Sequence, residues 1–408
     1  MQALRRPAAR RLGAPAQGPV SLGRPKRALA RARATPPAVP PPDLIDLATE
    51  DAWTPGDPPT PLIVDRIAWL EADLPHLFDE TGIAQAGYAP AVSFTDPITR
   101  YASLSGYLFN IGALKRVFQP TFTLLGARQT GPRQVTTRWA MGMVAAPLKP
   151  LLGSRAPALS FTGTSIMGFD SAGRVSSHED TWDAIEDQAY FSAEGAAHVA
   201  SQVADLKRSP DIWSPPYQLV RKQRGGLEVR AYEAFRVMEG RVVSPNASGD
   251  LRITLFRALA GMLGSTGASM TTPVLSAPSA GGGAVAFEEQ GDGPASRAMR
   301  FALSPPDADR VASALAAGTA RPPTGVEVEV IEVPGGTFAA LPLNGRPPAE
   351  AAADLRARLV ADFGPSGAAL ADDAPAAFSV ARYNSPLTPP PLRKEEVLVR
   401  LASFDVWA

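Results

Sequence analysis

The run "GASMTTPVLSAP" (residues 267–278) follows a helical pattern and precedes a short apolar strand. It contains no Cys, His or carboxylate, so its residues are read for architecture before chemistry. Pro273 cannot donate to a ladder and belongs at the first residue or edge of a strand. Thr271 and Thr272 can satisfy backbone groups at that start through their hydroxyls. Met270, soft and polarizable, is expected to point inward or into a cleft. On this reading the run closes a sheet between a helix and a strand.

The flanking sequence repeats this order. "GLEVRAYEAFRV" (226–237) and "GVEVEVIEVPGGTFAAL" (325–341) share an apolar-Glu-Val opening, a second β run and an aligned Phe. Each precedes a helical stretch, "DLRITLFRALAGML" (250–263) and "AEAAADLRARLVADF" (349–363), and further strands follow around 284–303 and 376–403. Two such copies predict a pseudo-two-fold β-barrel flanked by two helices. In the second copy Val326, Val328 and Val330 share one parity, whereas Ile331 and Val333 take the other, which predicts a bulge.

Upstream, "LIVDRIAWLEADLPHLF" (62–78) and "FTDPITRYASLSGYLFNIGALKRVF" (94–118) carry helical spacing. Strand-like runs follow at 121–128, 133–145, 158–170 and 173–185, with Asp170–Gly173 as a hairpin turn. Helices followed by an antiparallel meander predict an α+β cone around one curved sheet. Residues 34–61 contain nine prolines and read as a linker without a core. "RSPDIWSPP" (208–216) is a second break. The boundaries expected are a leader and the start of the Pro-rich linker over 1–42, linker over 43–61, an α+β domain over 62–206, linker over 207–216 and the barrel over 217–408.

The chain has 408 residues and no cysteine, which excludes disulfides, thiol catalysis, Cys-ligated zinc and iron–sulfur clusters. No apolar run approaches the ~18 residues of a membrane span. Net charge is zero but unevenly placed: residues 1–33 hold nine Arg or Lys and no acid. An Arg- and Ala-rich, acid-free start reads as an organelle transit peptide; the alternative is a basic arm touching nucleic acid or membrane. "GGGAVAFEE" (281–289) lacks the Lys of a phosphate loop, and no HExxH zinc motif occurs.

"YQLVRKQRGGLEVRAYE" (217–233), "SMTTPV" (269–274) and "YNSPLTPPPLRKEEVLV" (383–399) occur in an order and spacing that resemble the SOUL heme-binding protein family. "FTDPITRY", "FTGTSIMGFDSAGRV" and "HEDTWD" resemble the NTF2-like domain that precedes SOUL domains in plastid-targeted members from photosynthetic eukaryotes. The resemblance implies an NTF2-like curved-sheet cone followed by a SOUL-type barrel, both in a plastid protein. It also implies weak, non-covalent binding of heme or a related tetrapyrrole by a carrier, buffer or signalling component. A heme-metabolising enzyme is the implied protein partner, with peripheral thylakoid or plastoglobule association and no nucleic acid.

The family's cleft beside the first barrel helix maps to Phe256, Leu259, Met262 and Leu263, with Met270 near it. Arg252 and Arg346 are the expected propionate partners. The three histidines, His76, His178 and His198, all precede the SOUL-like part, so an imidazole-held iron within it is excluded. Some family members have been proposed to use a His, and this chain departs from them. Tyr217, Tyr232, Tyr383, Met238, Met262, Met270 and Met299 remain as ligand types, each with a packing role as the alternative. Burying about 300 Å² of porphyrin contributes on the order of 7 kcal/mol. Micromolar affinity needs about 8 kcal/mol, so Arg–propionate contacts must supplement it. Neither a catalytic residue nor a metal ligand is assigned. Two alternatives remain: a protein–protein scaffold, or an acid–base enzyme in the first domain. For the second, His178 and Asp180 share parity, with Glu179, Asp183 and Asp96 nearby.

Overall fold

The computed structural model describes residues 53–145, 147, 158–205, 212–243, 251–277, 298–371, 378–385 and 388–408. The first α+β domain begins with helix α1 (Pro61–Asp73), whose proline at the first helical position has no orphan N–H to satisfy. Pro75 then turns the chain out through a short 3₁₀ segment. Helix α2 (Leu104–Val117) is capped by Ser103, whose Oγ accepts from Gly106 N at 3.2 Å. The strands are β1 (Tyr88–Thr95), β2 (Arg100–Tyr101), β3 (Phe118–Gly131), β4 (Gln134–Ala145), β5 (Ala158–Phe169) and β6 (Val175–Trp182), followed by helix α3 (Ala193–Asp205).

Their order is β2-β1-β6-β5-β4-β3. The β3–β6 meander is antiparallel throughout, as expected. Strand β1 was not anticipated; it joins β6 in parallel and bends the sheet's other end over α1 and α2. Ile63, Leu70, Tyr88, Val92, Phe94, Tyr107 and Met167 form the core inside this curve.

The second domain is built from β7 (Tyr217–Lys222), β8 (Glu228–Tyr232), β9 (Phe235–Val242), α4 (Leu251–Thr266), β10 (Val274–Ala277), β11 (Ala298–Leu303) and α5 (Pro305–Ala316). It continues with β12 (Val326–Val333), β13 (Gly336–Pro342), α6 (Pro348–Gly367), β14 (Ala368–Leu370), β15 (Ser379–Arg382) and β16 (Glu395–Phe404). Apart from β7, the strand path β12-β9-β11-β10-β15-β16-β13-β8-β7 reads the same in both directions once the copies are exchanged (β8 for β12, β9 for β13, β11 for β16, β10 for β15). The pseudo-two-fold therefore runs between β10 and β15. Strands β12 and β7 end this path without a closing ladder among the described residues, so the sheet is a curled half-barrel. Helices α4 and α6 cover its convex face, one per copy, and α5 is an additional helix in the first copy only.

The expected bulge in β12 is absent: Val326 through Val333 pair with β9 in unbroken register. The parity change has another cause. Val326, Val328 and Val330 face the helix-side core, whereas Val333 walls a cavity on the concave face. The strand changes its buried side because the sheet curls beneath it.

The opening run acts as a clasp. The buried Thr271 hydroxyl donates to Ala302 O. Thr272 N donates to Trp213 O at 2.9 Å, and its hydroxyl lies 2.8 Å from Ser214 Oγ. Both contacts hold the segment that joins the domains. Met270 does not point inward; it lies in the turn before the strand and is 40% exposed.

The outer face of the first sheet meets β7. Arg138 forms a bidentate pair with Asp183 at 2.9 and 2.5 Å, and Arg221 approaches the same carboxylate at 3.7 Å. Lys222 N donates to Thr162 Oγ1 and its ammonium to Ser160 Oγ, each at 2.8 Å. The edge of the second sheet is thereby covered rather than left as a pairing template.

Candidate functional site

Helix α4 turns one stripe into the sheet: Leu255, Ala258, Leu259, Met262 and Leu263. Gly240 on β9 allows that approach, because a Cβ there would lie 3.0 Å from Leu259 Cδ2. Leu259, Met262 and Leu263, expected to line a cleft, are instead packed against Met238, Phe301 and Val311. They are 0%, 2% and 3% exposed and offer no surface to a ligand. The stripe spacing that suggested a cleft wall is the stripe that anchors the helix.

The flank of the same helix has a different character. Arg252, Phe256, Ala260 and Gly264 are spaced four apart along a line about 18 Å long that winds roughly 120° around the helix, with Phe256 and Ala260 against the edge of the core. Phe256 is half-buried, its ring 5.5 Å from that of Phe301. Ile253 beside it is half-exposed, and a Cβ at Gly264 would meet nothing within 4 Å. The row thus runs from a cation through an aromatic ring to a smooth, open end.

Positive charge gathers at the Arg252 end. Arg382, from β15, donates to Ser276 Oγ at 3.0 Å and pairs with Glu395 at 3.2 Å. Burial lowers the pKa of its guanidinium, Glu395 opposes the shift, and the charges of Arg252 and Arg393 press it down further. Arg393 follows the 3₁₀ turn Pro390–Leu392 and donates to Thr388 O at 2.7 Å. This is also the N-terminal end of α4.

Two expected site residues are elsewhere. Met270 follows the far end of α4, a helix about 24 Å long. Arg346 belongs to the other copy: it is held by Asp354 at 2.7 Å and by the carbonyls of Leu343 and Pro342 before α6. The sequence reading missed Arg382 and Arg393, which come from segments more than 100 residues from α4 in sequence.

On the concave face a cavity of about 410 Å³ opens between aromatic rings and cations, with Ser214 and Pro215 of the joining segment in its wall. Beneath it lies a buried ionic network. Arg230 makes two 2.8 Å bonds to Glu396 and pairs with Glu228 at 2.7 Å; Tyr383 donates to Glu396 at 2.8 Å. Burial opposes the ionisation of Glu396, but the charges of Arg230 and Lys394 and the hydrogen bonds from Arg230 and Tyr383 together outweigh it and bring its pKa down to about 2.

In the first domain His178 Nε2 lies 2.8 Å from Asp180 Oδ1, so the parity expectation holds. The same oxygen accepts from Ser165, which accepts from Trp139 Nε1 at 2.8 Å. His178 packs edge-on against Phe94 and Tyr107, while its Nδ1 and the Tyr107 hydroxyl are buried without a hydrogen-bond partner among the described residues. Asp183 is on the opposite face, paired with Arg138 and approached by Arg221 of β7, and Glu179 is exposed. Asp96 closes its own loop by accepting from Ile98 N, Thr99 N and the Thr99 hydroxyl. His76 pairs with Asp79 at 2.7 Å. His198 packs on Phe161; burial and then Lys222 lower its pKa to about 4.

Residues 212–400 match the family described as SOUL heme-binding protein. Residues 65–178 match an uncharacterized conserved protein family, DUF2358. Among curated proteins, none matches the chain. Among solved structures the chain aligns with an NTF2-like protein of unknown function from Exiguobacterium sp. 255-15 (15% identity, 26% of this chain and 84% of that one, TM-score 0.22). It also aligns with an LEH-like epoxide hydrolase from M. tuberculosis (16% identity, 36% and 94%, TM-score 0.27). A hydrolase from Listeria innocua aligns at 11% identity over 43% of this chain and 91% of that one, with a TM-score of 0.31. The chain thus carries a SOUL heme-binding family domain at residues 212–400, preceded by a DUF2358 region with NTF2-like structural neighbours.

Proposed function

We propose that the SOUL domain binds heme or a related tetrapyrrole weakly and reversibly on the flanking row of α4, and that the protein carries or buffers this ligand in a plastid. The observation that supports it is the row Arg252–Phe256–Ala260–Gly264 ending at the Arg252, Arg382 and Arg393 charges. A flat macrocycle lies on the smooth end and against Phe256, and its propionates reach toward the arginines. A ligand lying on a face buries one side, so the affinity stays near the micromolar range worked out above. The domain has no histidine, so no imidazole holds the iron. The acid-free leader supports plastid import. Titration with hemin and with iron-free protoporphyrin tests the reading, and equal affinities are expected. A Soret shift of strong axial ligation, or porphyrin absorbance and fluorescence unchanged at micromolar protein, overturns it.

A second reading concerns the first domain. His178 oriented by Asp180, with its other nitrogen and the Tyr107 hydroxyl unpartnered among the described residues, is suited to moving a proton on a small carbonyl compound. The expected result is slow exchange of α-protons of a simple ketone that is lost in Asp180→Asn. Exchange unaltered by that variant rejects this role.

A further inference from the structure

The concave face of the second sheet is separated from α4 by the sheet itself. Its cavity is lined by Tyr217, Tyr232, Phe235 and Phe338 together with Leu275 and Leu398. The Tyr232 ring lies 5.2 Å from that of Tyr217, 6.0 Å from Phe235 and 5.6 Å from Phe338. Such a ring cluster offers faces and edges to a flat apolar body. At about 410 Å³ the space is at the small end of ligand pockets, roughly 300–1,000 Å³. It suits a molecule of two or three rings better than a four-pyrrole macrocycle.

The polar part of the lining is one-sided. Arg300, Lys394 and Arg400 contribute to it, and no Asp or Glu does. Two of the three cations are already engaged. Arg300 donates to Glu239 at 2.5 Å. Lys394 sits 4.6 Å over the Tyr383 ring and 3.9 Å from Glu396. Arg400 is different: it donates to Gly335 O at 3.2 Å, and no carboxylate among the described residues lies within ion-pair distance of it. A Cβ at Gly336 would lie 3.3 Å from Arg400 Nε, so glycine lets the guanidinium lie along the backbone at the cavity wall. One uncompensated cation beside four rings matches one negative charge on an aromatic body.

We propose that this cavity is a second ligand site, separate from the tetrapyrrole face, and that it takes a flat aromatic molecule carrying a single carboxylate. The Arg230–Glu396–Tyr383 network keeps the site pre-formed by fixing β8, β15 and β16 beneath it. The Thr272 clasp on Trp213 and Ser214 holds its remaining wall.

The test is calorimetric titration of the full chain with 2-naphthoate, and with neutral 2-naphthol as the uncharged control. Naphthoate is expected to bind in the micromolar range. Arg400→Gln should weaken it at least tenfold while changing naphthol less than twofold, and Arg400→Lys should recover most of the loss. Saturating hemin should leave naphthoate affinity unchanged, as should Gly264→Glu on the α4 row. The proposal is overturned by no naphthoate binding at millimolar concentration, or by equal losses for naphthoate and naphthol. One-site competition with hemin also overturns it, because that result assigns the cavity to the macrocycle. Failure of hemin to bind at all leaves the naphthoate result standing.

Discussion

Replacing Arg230 with methionine probes the centre of the second sheet. Arg230 is 2% exposed and is the shared partner of Glu228 and Glu396. Burial opposes both carboxylates, yet Arg230, helped by Lys222 and Lys394, brings both below the ordinary value, Glu396 from 4.5 to about 2. That difference corresponds to roughly 3 kcal/mol of folding free energy. Because the folded-state pKa lies below the unfolded one, the contribution is complete above about pH 4.5 and drains away as pH falls toward 2. Removing the guanidinium leaves two buried carboxylates without it, which should cost about 3–5 kcal/mol at pH 7. It should also alter the pH response. Desolvated carboxylates have raised pKa values, so Arg230→Met should gain stability relative to the wild type on acidification toward pH 5. Urea unfolding followed by tryptophan fluorescence at several pH values measures both effects. A loss within about 1 kcal/mol, the range of an exposed pair, would refute the reasoning, as would acid responses that run in parallel.

Other consequences concern the α4 face. Arg252→Glu should weaken hemin binding roughly tenfold or more, since a charge-assisted bond contributes about 1.5–3 kcal/mol; an unchanged spectral titration rejects the arginine cluster. Gly264→Glu should leave the melting temperature nearly unchanged, given the open space there, and still reduce hemin affinity; retained affinity moves the ligand off the row. Leu259→Ala should cost about 2–5 kcal/mol as a core cavity while the folded protein keeps its hemin affinity, and a specific loss of binding would restore Leu259 as a ligand contact. Thr271→Val should cost about 1–3 kcal/mol by leaving the Ala302 carbonyl without its donor, which chemical denaturation can measure.

Local signals and long-range geometry divide this protein clearly. Helix stripes, the Asp170–Gly173 hairpin and the echo between 226–237 and 325–341 depend on neighbours within a few turns of chain, so the one-dimensional pattern carried them. The absence of histidine after His198 likewise ruled out an imidazole-held heme in the SOUL domain before any coordinates existed. Strand β1 was hidden because its long partner β6 lies some 80 residues away in parallel, while its local antiparallel partner β2 is only two residues long. The parity change in β12 was visible, but whether it meant a bulge or a change of buried side depended on how the sheet curls. Hydrophobic spacing likewise located the inner stripe of α4 without distinguishing a core face from a ligand face, since both are apolar. Only packing against β9 and β11 consumed Leu259, Met262 and Leu263 and left the flanking row. Arg382, Arg393 and the ring-lined cavity are products of strand order alone: charges and rings from segments far apart in sequence meet there because the two copies close around one pseudo-two-fold axis, and no local pattern encodes that meeting.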